Sequence, residues 1–273
     1  MEYRQLNNQV DIPTIGFGVW QTKGTETTQA VLDALDAGYR LIDTASRYGN
    51  EEAVGAALTH ASVPRSEIFL TSKLWKEDYG YEQTLQAFAT SLKKLQVTEL
   101  DLYLLHWPIE DTKNLLDAWR AVEELYDQKK IRAIGVSNFN KAQLEYLIAH
   151  SRIKPMVNQI ELHPTHAQEA TLQDMSDLGI LVEAYSPLGH SADLDHPVIQ
   201  ELAAHYSKSP AQIILRWEIQ KGIVPLPKSV TPERIKENIA VFDFALTPEA
   251  IEQIDQLDTE NRINKNPDDI VLH

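Results

Sequence analysis

Four polar residues lie where buried strands are expected to end. Asp43, Lys73 and His106 stand at the ends of short apolar runs, and Gln159 lies within another. A parallel strand that is buried on both faces should be apolar throughout, so these residues need a reason beyond packing. Thirty residues separate Asp43 from Lys73 and 33 separate Lys73 from His106, close to the ~30 residues of one strand–helix unit. The spacing predicts that they converge around one axis.

Tyr48, five residues beyond Asp43, adds a group that can move a proton. A free tyrosine titrates near pH ~10, too high for efficient proton transfer at neutrality. The ammonium of Lys73 would favour the phenolate, and Asp43 would keep that lysine charged and in place. His106 could donate a hydrogen bond to a substrate oxygen or share the proton with Tyr48. The set suits protonation of an oxygen on which negative charge develops, as reduction of a carbonyl by hydride requires.

Each of these residues also has a purely structural interpretation. Asp43 could cap a turn, Lys73 could be solvated, and Tyr48 could pack against the end of a strand. The chemical interpretation therefore depends on their order and spacing together.

The elements that must position these residues follow from hydrophobic periodicity. Short apolar runs alternate with segments of helical spacing from about residue 15 to the end, a pattern typical of repeated βα units with parallel strands. Eight such units in 273 residues predict an α/β fold, the closed (β/α)8 TIM barrel, whose active sites lie at the carboxyl ends of the strands. The predicted strands are 15–17, 41–42, 68–70, 102–105, 131–136, 157–160, 181–185 and 223–226.

The two ends of the chain have separate predictions. Residues 3–6 and 10–12 flank the turn-prone Asn7-Asn8 and predict a β-hairpin that plugs the amino-terminal end of the barrel. Residues from Thr259 onward are expected to form a short irregular tail. No linker or repeat interrupts the sequence, so residues 1–273 are predicted to form a single domain.

Composition excludes several classes of function. The chain carries 40 acidic and 25 basic residues, a net charge of −15, which argues against binding nucleic acid or an anionic membrane. It contains no cysteine, which removes disulfides, thiolate nucleophiles and cysteine-bound metals. There is no leader pattern and no apolar run of the ~18 residues that span a bilayer. We expect a cytoplasmic monomer.

Eight stretches of the sequence resemble the aldo-keto reductases, and more narrowly the bacterial branch similar to 2,5-diketo-gluconate and glyoxal reductases. The resemblance covers the chain from about residue 5 to residue 258. The stretches are 16–20 (GFGVW), 41–45 (LIDTA) with 48–51 (YGNE) and 54–55, 71–75 (TSKLW), 105–108 (LHWP), 134–139 (IGVSNF), 158–161 (NQIE), 185–188 (YSPL), and 226–229 (LPKS) through Arg234 to Asn238.

The resemblance implies a reductase of aldehydes, ketones or dicarbonyls such as glyoxal and keto-sugars. Tyr48 would be the general acid in reduction and the general base in the reverse direction. NADPH would bind extended across the barrel mouth without a Rossmann domain, and Gln21 indeed stands where a dinucleotide fingerprint starting at Gly16 needs its third glycine. The implied catalytic tetrad is Asp43, Tyr48, Lys73 and His106.

The same resemblance assigns residues to the nicotinamide. Tyr185 would stack on its face, and Ser137, Asn138 and Gln159 would hold its carboxamide. The alternative for Ser137-Asn138 is an ordinary helix cap after a strand. The implied cofactor residues in the YSPL stretch are Tyr185, Ser186 and Leu188.

Lys228, Ser229 and Arg234 bear on the type of cofactor. Two cations and a hydroxyl within seven positions suggest a pocket for the phosphate monoester that distinguishes NADPH from NADH. Glu237 and Asn238 would then face the adenine. The alternative is a solvated helix start, because residues 231–233 form a good amino terminus.

Aromatic residues are predicted on the substrate side. Trp20, Trp75 and Trp107 each follow a predicted strand, so they should form apolar walls around a small carbonyl next to His106. The segment 108–113 after His106 is short, and so is the tail, which favours an open pocket with broad tolerance.

Two other classes of function remain alternatives. A metal-dependent barrel hydrolase could use His106, Asp43, His163 and His166, although Lys73 among the ligands would repel a divalent cation. We expect no metal. A regulatory protein could keep the fold and the cofactor but act by association, although an intact tetrad argues against it.

Overall fold

A computed structural model describes all residues, 1–273. The ten strands are β1 (Tyr3–Gln5), β2 (Asp11–Pro13), β3 (Phe17–Gly18), β4 (Leu41–Asp43), β5 (Phe69–Leu74), β6 (Leu100–Leu105), β7 (Ile131–Ser137), β8 (Val157–Glu161), β9 (Leu181–Tyr185) and β10 (Val224–Pro225). The ten α-helices are α1 (Gly24–Ala37), α2 (Glu51–His60), α3 (Tyr81–Leu95), α4 (Thr112–Asp127), α5 (Lys141–Ala149), α6 (Glu169–Leu178), α7 (Pro197–Tyr206), α8 (Pro210–Gln220), α9 (Pro232–Ile239) and α10 (Pro248–Asp255). No helix is both long and apolar enough to cross a bilayer.

Strands β3 to β10 form one parallel sheet in which each strand pairs with the next along the chain. Two backbone hydrogen bonds join its edges, because the amides of Gly16 and Gly18 donate to the carbonyls of Pro225 (2.9 Å) and Pro227 (3.0 Å). These bonds close the sheet into a ring. The predicted (β/α)8 barrel is confirmed.

Hydrophobic burial explains why these segments form the barrel. Strands β4, β5 and β6 are buried at every position, as expected for parallel strands covered on both faces. The helices begin where the sequence has capping residues: Ser209 and Gln212 form a reciprocal capping box at α8, and the Thr247 side chain accepts from the Ala250 amide at α10. Each cap satisfies amides that would otherwise lack partners.

The first and last barrel strands are shorter than predicted. Strand β3 starts at Phe17 rather than at residue 15, and β10 covers only Val224 and Pro225. At Gly16 a Cβ would lie 2.4 Å from Leu41 Cδ2 and 2.5 Å from Leu226 Cδ2, so a side chain at this position would force both leucines to move where the ring closes. Pro225 and Pro227 have no backbone N–H group, so they cannot donate the hydrogen bonds that a longer strand β10 would need.

The ends of the chain are as predicted. Strands β1 and β2 form an antiparallel hairpin. The side-chain Nδ2 of Asn7, in the turn between them, donates to the carbonyls of Pro155 (3.2 Å) and Gly179 (3.1 Å). Because these carbonyls precede β8 and β9, the hairpin covers the amino-terminal end of the barrel. Residues 259–273 are irregular apart from one short 3-10 turn, Pro267–Asp269.

Candidate active site

A cavity of about 780 Å³ opens at the carboxyl ends of the barrel strands. Asp43, Tyr48 and His106 lie in its wall, and Lys73 lies beneath them with no exposed surface. Lys73 is inside β5 rather than after it, so its side chain rises from within the barrel. The four residues proposed as a tetrad therefore lie together, and the convergence of Asp43, Lys73 and His106 is the one that their spacing predicted.

Lys73 is the centre of the hydrogen-bond network at the cavity floor. Its Nζ donates to Asp43 Oδ1 at 2.6 Å, to the Thr44 carbonyl at 3.1 Å and to Tyr48 Oη at 3.2 Å. These three contacts use all three ammonium N–H groups. Burial lowers the pKa of Lys73, but the contacts with Asp43 and Tyr48 together outweigh burial and leave the pKa raised. Lys73 is thus a fixed cation.

The phenol of Tyr48 keeps its proton at neutral pH. Burial raises its pKa above the usual value, and Lys73 opposes that rise while Asp43 adds to it. The lysine thus favours the phenolate, as predicted, but burial has the larger effect in the free protein. Tyr48 therefore holds a proton that it can give to an acceptor close to Lys73.

His106 is a neutral imidazole. Its ring packs edge-on against Tyr48 (5.7 Å between centroids) and Trp75 (5.1 Å). Burial lowers its pKa well below the usual value, and the charges of Lys73 and Arg47 lower it further. A neutral ring can donate one hydrogen bond to a substrate oxygen without competing with Tyr48 as the acid.

A chain of hydrogen bonds connects the residues assigned to the nicotinamide. Tyr185 Oη donates to Asn138 Oδ1 (2.8 Å), and Asn138 Nδ2 donates to Ser137 Oγ (3.0 Å). Ser137 Oγ donates in turn to the main-chain carbonyl of Gln159 (2.8 Å). Ser137-Asn138 is not a helix cap, because Asn140 caps α5. All four residues line the cavity, as do Ser186 and Leu188.

Sequence reasoning missed Glu183, which is fully buried beside Gln159. Gln159 Nε2 donates to Asp43 Oδ2 (3.0 Å) and to Glu183 Oε2 (2.8 Å). Both N–H groups of the Gln159 side-chain amide are therefore used below the cavity, and only its side-chain oxygen Oε1 remains for a ligand. Glu183 lies inside the apolar strand β9, so the rule that found Asp43 and Lys73 could have found it too.

Glu183→Gln is expected to become more stable relative to the wild type as the pH rises. Burial, with a contribution from Asp43, raises the pKa of Glu183 from 4.5 to about 8. Between these values the folded protein holds a proton that the unfolded chain has released, so wild-type stability falls as the pH rises. The neutral glutamine has no such loss and can still accept from Gln159.

Urea unfolding of Glu183→Gln and the wild type across this pH range measures the effect. The stability difference should shift in favour of the variant up to about pH 8 and then level off. A difference independent of pH would show that Glu183 does not titrate in this window.

The residues assigned to the phosphate and adenine are more dispersed. Lys228 lines the cavity, whereas the other four lie outside its lining. Ser229 Oγ accepts from the Thr231 amide (3.1 Å) just before α9, which fits the helix-start alternative equally well. Arg234 is exposed and makes no ion pair. The residues outside the lining are Ser229, Arg234, Glu237 and Asn238.

The three predicted tryptophans, Trp20, Trp75 and Trp107, all line the cavity. Trp20 is 41% exposed and lies 5.9 Å from the ring of His190. The ring of Trp75 has Arg47 within 5.2 Å and Lys76 within 5.9 Å. The aromatic wall is therefore present, with a cation at its edge.

His163, one of the histidines of the metal-hydrolase alternative, has a structural role. His163 is buried between Asp193 (Nδ1 to Oδ2, 2.9 Å) and Glu161 (Nε2 to Oε1, 3.3 Å). Glu161 also accepts from the amides of Ile263 (2.6 Å) and Asn264 (2.9 Å), so this cluster fastens the tail to the barrel. No group of three or more histidine, aspartate or glutamate side chains is arranged to hold a metal ion.

Comparison with known proteins gives one consistent result. Residues 14–259 match the aldo/keto reductase family. A glyoxal reductase of Bacillus subtilis (strain 168) is 47% identical over 269 residues, 98% of this chain and 97% of that protein. A methylglyoxal reductase, DkgA, of Yersinia pestis is 46% identical over 259 residues, 94% of this chain and 93% of that protein.

A solved structure agrees with the sequence relatives. The crystal structure of a Bombyx mori aldo-keto reductase in complex with NADP has a TM-score of 0.93 to this chain at 37% identity, covering 99% of this chain and 97% of that one. Family match, sequence relatives and fold thus agree over nearly the whole length. The chain belongs to the aldo/keto reductase family.

Proposed function

We propose that this protein is an NADPH-dependent reductase of small aldehydes, ketones or dicarbonyls, with Tyr48 as general acid. The observation that carries the proposal is the 3.2 Å contact between Lys73 Nζ and Tyr48 Oη at the floor of the cavity. A protonated phenol held against a buried ammonium is suited to neutralise an alkoxide as it forms.

The residues of the cavity fit a nicotinamide dinucleotide. The carboxamide of a nicotinamide carries two N–H donors, and the free oxygen of Gln159 and Asn138 Oδ1 are acceptors on one wall of the cavity. The hydroxyl of Tyr185 is tied to Asn138, which fixes the ring that would stack on the nicotinamide. When bound, the cofactor supplies the hydride.

The remaining chemistry belongs to this chain. The carbonyl oxygen would lie between Tyr48 Oη and the neutral His106, which orients it by a hydrogen bond. As charge develops on that oxygen, Tyr48 donates its proton, and Lys73 stabilises the phenolate that remains. Asp43 holds Lys73 in place and preserves its charge. In the reverse direction the same phenolate accepts the proton.

The relatives suggest the kind of carbonyl. The glyoxal and methylglyoxal reductases support small dicarbonyls as substrates here, and the tryptophan walls are suited to a compact molecule. That residues 1–273 act as one domain, as a monomer in the cytoplasm, stays a prediction from the sequence.

A panel of carbonyl compounds tests the proposal. Methylglyoxal, aromatic aldehydes, xylose and diketo-gluconate are each incubated with the protein and NADPH, and the loss of absorbance from the reduced cofactor is followed. The proposal expects turnover of several members of the panel. Binding of NADPH without any turnover would favour the regulatory alternative.

Arg234→Ala is expected to raise the KM for NADPH about tenfold or more, because a charge-assisted contact to a phosphate contributes roughly 1.5–3 kcal/mol. The KM for NADH should change little, since NADH lacks that phosphate. Lys236→Ala is the matched control, because Lys236 is another exposed cation on α9. Equal effects of Arg234→Ala on both cofactors would contradict the phosphate pocket.

A further inference from the structure

The lining of the cavity is positively charged although the protein is strongly acidic. Four cationic side chains reach it, and none of them forms an ion pair or a side-chain hydrogen bond. The single carboxylate in the lining is Asp43, which Lys73 already neutralises. In a chain with a net charge of −15, unpaired cations gathered at one cavity indicate anionic ligands. These cations are Lys23, Arg47, Lys228 and Lys265.

Arg47 is the cation placed beside the reacting groups. It precedes Tyr48 in the short 3-10 turn Ser46–Tyr48, and its guanidinium lies 5.2 Å from the ring centre of Trp75. Trp75 in turn packs against His106 at 5.1 Å. The charge of Arg47 also reaches the imidazole, whose pKa it helps to lower. Lys228, by contrast, follows β10 and is assigned to the cofactor.

The backbone around Arg47 is held on both sides. Ser46 Oγ donates to the carbonyl of Lys73 (2.9 Å), and the Tyr48 amide donates to the Ala45 carbonyl (3.0 Å). The base of the Arg47 side chain therefore has a fixed position relative to the proton donor. Because the guanidinium of Arg47 lies near the Trp75 ring but has no ion-pair or side-chain hydrogen-bond partner, its N–H groups stay available to a ligand.

We propose that Arg47 binds a carboxylate of the substrate, so that this enzyme prefers carbonyl compounds that also carry a carboxylate, such as aldehyde acids and oxo acids. The planar guanidinium matches a carboxylate through two parallel hydrogen bonds. This inference rests on the proposed reductase function and narrows its substrate class.

The fixed turn adds a requirement on length. The carbonyl must reach Tyr48 and His106 while the carboxylate reaches Arg47, so the two groups must be far enough apart on the substrate to contact both, and the two carboxylates of the test differ in this length. Neutral aldehydes can still react, because the proton donor and the tryptophan walls do not depend on Arg47.

The test compares matched pairs of substrates with the wild type and Arg47→Gln. Succinic semialdehyde is paired with butanal, and 4-carboxybenzaldehyde with 4-methylbenzaldehyde. Arg47→Gln should lower kcat/KM for the carboxylates roughly 10- to 100-fold, the value of one hydrogen bond to a charged group, and should change it less than about threefold for the neutral partners. Arg47→Lys should recover part of the difference.

Lys76→Gln is the control, since Lys76 lies 5.9 Å from the same Trp75 ring but does not line the cavity. It should leave the preference for carboxylates unchanged. A second measurement does not depend on turnover: butanoate should inhibit the wild type more strongly than Arg47→Gln. The preference of the wild type should also weaken as ionic strength rises, because salt screens an exposed guanidinium.

Each other outcome overturns the proposal in an identifiable way. An equal loss on both members of a pair would mean that Arg47 supports the turn that carries Tyr48. A raised KM for NADPH with unchanged substrate preference would assign Arg47 to the cofactor. If the wild type reduces none of the four aldehydes, the proposed function fails, whereas turnover without a preference for carboxylates refutes the role of Arg47 alone.

Discussion

Tyr48→Phe is expected to lower kcat for carbonyl reduction by about 10²–10⁴-fold, the range that general acid catalysis contributes. The substitution removes the proton that Tyr48 holds beside Lys73 but keeps the ring that packs against His106. Lys73 keeps Asp43 and the Thr44 carbonyl as partners, so the floor of the cavity should remain intact. The affinity for NADPH should therefore be nearly unchanged.

The measurement combines single-turnover reduction with an equilibrium titration of NADPH. Tyr39→Phe is the matched control, because the hydroxyl of Tyr39 is buried without a partner and lies outside the cavity lining. It should retain wild-type kcat. A Tyr48→Phe protein with wild-type kcat would remove Tyr48 from the role of acid, and one that no longer binds NADPH would make its role one of cofactor binding.

The convergence of the tetrad could be predicted because it depends on the period of the fold. Apolar runs mark the strands, and a polar residue at the end of such a run stands out against them. In a closed barrel, successive strand ends meet at one face. The positions of Asp43, Lys73 and His106 therefore follow from their spacing, without knowledge of any single contact.

Contacts between distant residues could not be predicted in the same way. The tail is held where the amides of Ile263 and Asn264 donate to Glu161, and a backbone amide has no signature in the sequence. The hydrogen bonds from Gln159 to Asp43 and Glu183 depend on the positions of side chains from three strands at once. The sequence indicates which residues are unusual, whereas the structure shows which of them touch.

Arg47 illustrates a different limit. An exposed cation in a loop is usually solvated, so the sequence offers no reason to single it out. Its significance follows from what surrounds it, namely the Trp75 ring at 5.2 Å and a cavity whose single carboxylate is already paired. An exposed cation becomes informative when the structure shows that it lines a cavity that holds no free carboxylate to pair with it.

The floor of the cavity combines one buried cation with two buried carboxyl groups. Lys73 pairs with Asp43, and the raised pKa of Glu183, about 8, keeps that group neutral at pH 7. The buried charges therefore balance, with one ammonium against one carboxylate. Removal of either member of the pair leaves an uncompensated buried charge, which strongly destabilises a folded protein.

Lys73→Met is accordingly expected to destabilise the protein by about 3–5 kcal/mol, because Asp43 is left charged and unpaired in the interior. It should also abolish most turnover, since the phenolate of Tyr48 loses its neighbouring cation. In the double variant Asp43→Asn/Lys73→Met no buried charge is left unpaired, so we expect most of the stability to return while activity stays low. Urea unfolding at neutral pH, with kcat measured in parallel, separates the two effects. A double variant as unstable as Lys73→Met would show that packing around Lys73, rather than its charge, stabilises the cavity floor.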